Sequence, residues 1–322
     1  MKKLLIIIAI VTAVAGVMLL LKSGDTKKDL PVVAIANYGQ IPPLLVSIEG
    51  IKKELAEHGY VENKNIRYEI ADIAFDHSLI SQMITNLKNH NPKVMVLMGT
   101  PISLFAKGKI RDIPLVYNVV TDPVDAKLVK DKTKSIDNIV GSSDMQSLNA
   151  LLSFVKSILP EAKTVELLYA ISDINDLTLV NMMREEAAAF GMTVIAVPVE
   201  QMRDVPIRMQ QLKGKVDFIY VGASGLQSAL PTISGEAQKM NIPIFNIEEQ
   251  SVRDGLALAS FGVSYEAVGR NAGKLVIQLL KGADIKTLTP IYPKLEDHKC
   301  FINKKLAEKF GITIPKNVIV VE

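Results

Sequence analysis

From Val32 onward the chain alternates short apolar runs with longer segments in which apolar residues recur every three or four positions. The runs at 32–36, 66–70, 94–98 and 113–120 have the length of strands, and most are apolar at successive positions, as parallel strands covered on both faces are. The periodic segments 44–58 and 77–89, with a shorter one at 102–107, predict helices between them, the first closed by Gly59. After the apolar pair Ile139-Val140 a helix is predicted over 145–159, stopped by Pro160. The alternation then repeats, with strands at 165–169, 193–197, 216–221 and 242–245 and helices at 177–190, at 205–212 and up to Met240. Each series finishes on an Ile-Pro strand, at Ile113-Pro114 and Ile242-Pro243. This predicts an α/β protein of two doubly wound, Rossmann-like lobes rather than one large sheet. A strand at 256–261, a long helix at 265–281 and a mixed segment at 285–321 do not fit a simple division in two, and part of them is expected to return to the first lobe.

In open α/β sheets ligands settle outside the carboxyl ends of the strands, where loop N–H groups and helix N-termini are not yet paired. The stretch 117–144 brings two such ends together, one at Thr121-Asp122-Pro123 and one at Gly141-Ser142-Ser143-Asp144. The candidate ligand-binding residues of the first series are Asn37, Tyr38, Thr100, Asn118, Thr121, Asp122, Ser143 and Asp144. Those of the second are Tyr169, Ser224 and Glu248. The Thr121-Asp122-Pro123 and Ser143-Asp144 turns also suit helix caps and Asx-turns, and capping and ligand contact are not exclusive.

Composition changes the picture mainly at the N-terminus. Residues 4–21 form an apolar run broken only by Thr12 and flanked by Lys2, Lys3 and Lys22, the pattern of an export signal or a membrane anchor. The run is nearer anchor length, and its small-residue site, Ala13-Val14-Ala15, lies inside it, so an uncleaved anchor is expected. No cysteine follows the run, which excludes a lipoprotein. The folded part is expected outside the cytoplasm, periplasmic or otherwise extracytoplasmic. Removing the five lysines and two aspartates before Leu30 leaves the charges balanced, without the basic field that nucleic-acid binding requires. Cys300 is the single cysteine and cannot form an internal disulfide. His58, His77, His90 and His298 have no ligand-like spacing, and neither phosphate-loop nor dinucleotide-binding glycine motifs occur, so no metal or cofactor is expected. Gly222-Ala223-Ser224-Gly225 resembles a nucleophile elbow, but Leu226 stands where that motif needs glycine, which argues against an enzyme.

The ordered set IPLVYNVVTDPVDAKLV (113–129), NIVGSSD (138–144), LPEAKTVELLYA (159–170), GKVDFIYVGAS (214–224) and the long segment 242–282 resembles ABC-transporter substrate-binding proteins of the tryptophan/tyrosine-binding type. The resemblance runs over nearly all of residues 31–315, including FGITIP at 310–315. It implies a fold like that of type I periplasmic binding proteins, with a three-strand hinge and a ligand held between closing lobes. The first lobe would comprise 31–160 plus 262–288, and the second 161–261 plus 289–322. Asp122 and Asp144 match cleft positions, and Ser224 and Glu248 occupy the corresponding strand ends of the other lobe. For an amino-acid ligand, Thr100, Thr121, Ser142 and Ser143 with helix-start N–H groups would bind the carboxylate. Asp122, Asp144 or Glu248 would accept from the ammonium, and Tyr38, Tyr117 and Tyr169 could stack on a ring. The implied partners are a small-molecule ligand and an ABC permease in the inner membrane, with the chain itself a monomer. A membrane-tethered ligand sensor that signals to a partner protein is the alternative. The first loop, Asn37 to Pro43, and the turn Gly222 to Gly225 depart from the family pattern where the ligand would lie, which leaves open whether it is aromatic.

Overall fold

The computed structural model describes residues 30–222 and 225–322; the expected signal or anchor segment and Ser224 lie outside them. Among the described residues no helix is long and apolar enough to cross a membrane. The first sheet is built from β1 (Val32–Asn37), β2 (Arg67–Asp72), β3 (Val94–Met98), β4 (Leu115–Val120) and β5 (Ile139–Ser143), in the order β2-β1-β3-β4-β5. All its pairs are parallel. Helices α1 (Pro42–Glu57), α2 (Ile80–Lys88) and α3 (Thr100–Lys109) connect its strands. Every residue of β1, β3, β4 and β5 is buried, which is why the first three read as mostly apolar runs, while β5 shows only the pair Ile139-Val140.

The second sheet repeats the plan. Its strands β6 (Thr164–Ala170), β7 (Thr193–Val199), β8 (Phe218–Val221), β9 (Ile244–Asn246) and β10 (Ala259–Val263) run β7-β6-β8-β9-β10, the order of the first sheet. β11 (His298–Asn303) adds antiparallel to β10, and β12 (Ile319–Val321) closes the edge. α4 (Leu148–Ile158), α5 (Ile174–Ala189), α6 (Val205–Gln210), α7 (Leu230–Met240) and α8 (Glu249–Arg253) accompany this sheet. The two doubly wound α/β lobes predicted from the alternation are therefore present.

The chain passes between the sheets three times, after β5, after β10 and before β11. α4 packs on the second sheet: the Phe154 ring lies 6.3 and 6.2 Å from those of Phe245 and Phe261. After β10 the chain returns to the first lobe as α9 (Tyr265–Leu280), which lies along α1. Contact there is close enough that a Cβ at Gly269 would collide with the Ser47 carbonyl oxygen. Ser47 itself accepts from Asn118 Nδ2 at 2.6 Å, tying the helix pair to β4. Ile291 then bonds back to β5, donating to Gly141 O at 2.9 Å and accepting from Ser143 N at 2.9 Å, before the last passage to β11 and α10 (Lys304–Phe310).

Three of the helix starts that differ from the sequence expectation lie at the cleft. α3 begins at Thr100 rather than 102, because Gly99 at φ 90° turns the chain directly into it and Pro101 is suited to a first turn. α4 begins at Leu148 rather than 145, because Ser147 and not Asp144 is its cap, accepting from Ala150 N at 3.2 Å. α5 begins at Ile174 rather than 177, capped by Asp173, which accepts from Asn175 N at 2.9 Å.

Candidate functional site

The carboxyl ends of β1, β3, β4 and β5 face those of β6, β8 and β9, so the loops of the two lobes meet at the switch points of both sheets. On the first lobe the Tyr38 ring stands edge-on to Phe75, 5.1 Å between centroids, and its hydroxyl is hydrogen-bonded to His77 Nε2 at 2.5 Å. Burial, with Asp173 and Asp176 nearby, holds that hydroxyl far above the ordinary tyrosine range. Thr100 and Thr121 both reach across the cleft. The Thr100 hydroxyl and the Thr121 backbone N–H each donate to Asn175 Oδ1, at 3.3 Å. One turn further along α5, Thr178 Oγ1 donates to Asp125 Oδ2 at 2.8 Å.

Asp144 occupies the first passage between the lobes and is 2% exposed. Its Oδ2 accepts from the Tyr265 hydroxyl at 3.2 Å, with Thr121 also close by, while Oδ1 has no hydrogen-bond partner among the described residues. Burial pushes the Asp144 carboxyl up to about 6, against the opposing hydrogen bond from Tyr265. Tyr265 opens α9 at the second passage, so this bond links two of the three passages. Glu248, at the end of β9, is pushed up to about 7 by burial. It lines a pocket of about 420 Å³ together with Pro42, Val46, Ser260 and Tyr265. Two narrower cavities of about 20 Å³ lie deeper. One is walled by Thr121, Asp144, Tyr220, Leu179 and Met182, the other by Tyr38, Thr100, Asp173 and Asn175. Neither inner cavity has a lysine, arginine or histidine among its described lining residues.

Of the residues proposed from sequence, Tyr38, Thr100, Thr121, Asp144 and Glu248 line these cavities. Others make their hydrogen bonds within the first lobe. Asn37 Nδ2 donates to Gly39 O at 2.9 Å and Asp72 Oδ2 at 2.6 Å, shaping the loop that presents Tyr38. Asn118 is buried under α1. Asp122 Oδ1 accepts from Val124 N and Asp125 N at 2.9 and 3.0 Å, an Asx-type turn. Ser143 Oγ donates to Thr121 O at 3.0 Å and accepts from Met145 N at 2.9 Å. Tyr169 is half-buried at the end of β6, outside the three cavities. Sequence reasoning missed Asp173, Asn175, Tyr220 and Tyr265. A signal for the first two was present, since Asp173 ahead of an apolar-periodic segment is a helix start.

A profile of ABC transporter substrate binding proteins matches residues 6–322. The chain belongs to the ABC transporter substrate-binding protein family. It is a solute-binding protein and not an enzyme. A tyrosine-binding protein of Clostridioides difficile is 31% identical over 265 residues, which span 82% of this chain and 76% of that one. Among solved structures, a conserved domain protein from Vibrio cholerae superposes with a TM-score of 0.86 at 27% identity, covering 91% of this chain and 99% of the other. The ABC domain from Streptococcus pneumoniae in complex with L-Trp gives 0.85 at 28% identity, covering 91% and 100%. The ligand-free, open structure of a Clostridium difficile substrate-binding protein with adhesive properties gives 0.69 at 26% identity, covering 91% and 99%.

Proposed function

We propose that the chain is the ligand-capturing component of an ABC importer, holding an amino-acid-like ligand, aromatic in the first instance, between its lobes. The observation that carries this reading is Asp144, a buried carboxylate at a passage between the lobes with one oxygen unpartnered among the described residues. A buried acceptor of this kind calls for a charged donor, and a ligand ammonium supplies one. Relatives named for tyrosine binding and solved with L-Trp point the same way. Tyr38, Thr100, Thr121 and Glu248 form the rest of the site, with Asp173, Asn175, Tyr220 and Tyr265 added from the second lobe and the hinge.

Ligand capture proceeds by hinge closure on this reading. The TM-score falls from 0.85 with the L-Trp complex to 0.69 with the open, ligand-free structure at equal coverage and similar identity, as a difference in lobe arrangement would produce. The ligand favours the closed form through contacts that exist only there. The passages at 144–147, 264 and 292–297 would be the hinge, giving lobes of 30–143 plus 265–291 and 148–263 plus 298–322. The first boundary thereby moves from the expected 160, because α4 packs with the second sheet. The N-terminal apolar segment would tether the lobes at the outer face of the membrane beside the permease. A thermal-shift screen against the amino acids tests the reading, since a ligand bound by the folded form alone raises the melting temperature. An aromatic amino acid is expected to stabilise the chain, and Asp144→Ala to remove that shift while still folding. No stabilisation by any amino acid refutes the assignment.

A further inference from the structure

The polar groups of the cleft are unequally satisfied, and the inequality says which part of a ligand the site reads. Two of its donors on the first lobe are already engaged. The Thr121 N–H and the Thr100 hydroxyl converge on one atom, Asn175 Oδ1, at 3.3 Å each. A carbonyl oxygen that takes a backbone N–H and a hydroxyl together stands where an oxygen of a ligand carboxylate would stand. Asn175 is carried there by the first turn of α5, and the Thr178–Asp125 bond holds the same helix against the same lobe. One acceptor is in the opposite condition. Asp144 Oδ1 is unpartnered among the described residues, and its carboxyl lines a cavity with the apolar side chains of Leu179, Met182 and Ile247. Glu248 brings a second carboxyl to the neighbouring pocket. With no cationic side chain in the described lining of the inner cavities, nothing charged competes there for Asp144 or waits for a carboxylate.

We infer that Asn175 is a specificity-determining residue: it supplies from within the chain the acceptor that a ligand carboxylate would bring. The site therefore selects ligands by their ammonium group and apolar body. This inference rests on the proposed amino-acid-like ligand and narrows its chemistry to primary amines on an apolar or aromatic frame. A carboxylate that displaced the Asn175 carboxamide would leave that amide to find other partners, so the exchange returns little. A ligand without an ammonium leaves Asp144 buried and unpaired, which is the costly mismatch.

The test is calorimetric titration of the full chain with three probes of one frame: L-tryptophan, tryptamine and indole-3-propionate. Tryptamine is expected to bind within about tenfold of L-tryptophan. Indole-3-propionate is expected to be weaker than tryptamine by about a hundredfold or more. In Asn175→Ala the freed Thr121 N–H and Thr100 hydroxyl should raise the preference for L-tryptophan over tryptamine by about threefold or more. Asn175→Ser, whose shorter side chain keeps the polar first turn, serves should the alanine variant melt early, and the wild-type probe series stands without either. Tryptamine weaker than L-tryptophan by more than tenfold, indole-3-propionate as tight as tryptamine, or an unchanged preference in the folded variant overturns the inference. The two readings fail separately. L-tryptophan binding with tryptamine silent sinks this inference and leaves the amino-acid assignment standing, whereas tryptamine binding with every amino acid silent does the reverse. Silence from all three probes overturns the inference.

Discussion

Glu166 lies mid-strand in β6, fully buried between Ile195 of β7 and Ile219 of β8, and neither of its carboxyl oxygens has a hydrogen-bond partner among the described residues. Burial alone drives its pKa well above the ordinary value of 4.5. The folded lobe thus keeps a proton that the unfolded chain releases once pH exceeds its own carboxylate pKa. With more protons bound folded than unfolded, stability falls as pH rises above about 4.5, up to the folded pKa. Glu166→Met replaces the carboxyl with an apolar chain of similar length and removes both burdens. An unsatisfied buried polar group costs about 1–3 kcal/mol, so the variant should be more stable by about that much near pH 5. Its advantage should then grow by up to about 1.4 kcal/mol per pH unit. Near pH 5 the melting temperature should rise by about 2–6 °C. The chain has no tryptophan, so urea unfolding is best followed by far-UV circular dichroism, at pH 5 and pH 8. Glu166→Gln is the control: it keeps an unsatisfied polar group but cannot titrate, so it should flatten the pH dependence without the gain at pH 5. A methionine variant less stable than wild type at pH 5, or a difference that does not widen toward pH 8, would refute the reasoning.

Gly269→Ala should destabilise by about 1–3 kcal/mol or more, measured by thermal melting, since the new Cβ collides with the Ser47 carbonyl oxygen. Helix propensity alone favours alanine by up to about 1 kcal/mol, so a stabilised variant would show that α9 and α1 can separate at no cost. Asp144 titrates near 6, and an ammonium needs its carboxylate form. In Glu248→Gln, where the neighbouring carboxyl pushed up to about 7 no longer titrates, ligand affinity should be level above that pH and fall by up to about tenfold per unit below it, whereas adding Asp144→Asn should leave weak binding with no such slope. Titrations between pH 5 and pH 8 check this, and an affinity that rises on acidification would exclude an ammonium at Asp144.

The fold was legible because strands buried on both faces leave mostly apolar runs, and β1, β3 and β4 are of that kind. β2 was harder to read, being partly exposed, and β7 is half-exposed along most of its length. Strand ends could be found, and with them Tyr38, Thr100, Thr121, Asp144 and Glu248, but what each polar group does there could not. Asp122 and Asp144 are the same residue type after neighbouring strands, and one closes a turn while the other keeps an oxygen unpartnered among the described residues. The difference arises because Ser147 takes the capping role ahead of α4, a matter of where the helix starts by three residues. A three-residue error at the start of α5 likewise hid Asn175, since 174–176 reads as loop when the apolar period is counted from Leu177. Tyr265 was hidden differently: its partner Asp144 stands 121 residues earlier, and no local pattern reports such a contact.

Asp144 also explains how a small ligand could govern two whole lobes. It stands at the first passage between them and holds Tyr265 at the second, while Ser143 beside it accepts nothing from the cleft but bonds through its N–H to Ile291, just before the third. A charge placed against Asp144 would, on the proposed reading, act on all three passages through bonds of one or two residues, with no long relay through either core. On the proposed reading, an ammonium that pairs with Asp144 replaces an unsatisfied buried acceptor by a charge-assisted bond, and does so at the point about which the lobes turn. Contacts farther out, such as Asn175 on Thr100 and Thr121, would add to that pairing in holding the lobes together. Asp144 and Asn175 meet through Thr121, whose N–H Asn175 holds and which lies beside Asp144, so substitutions at the two should couple rather than add in a double-mutant cycle of ligand affinity.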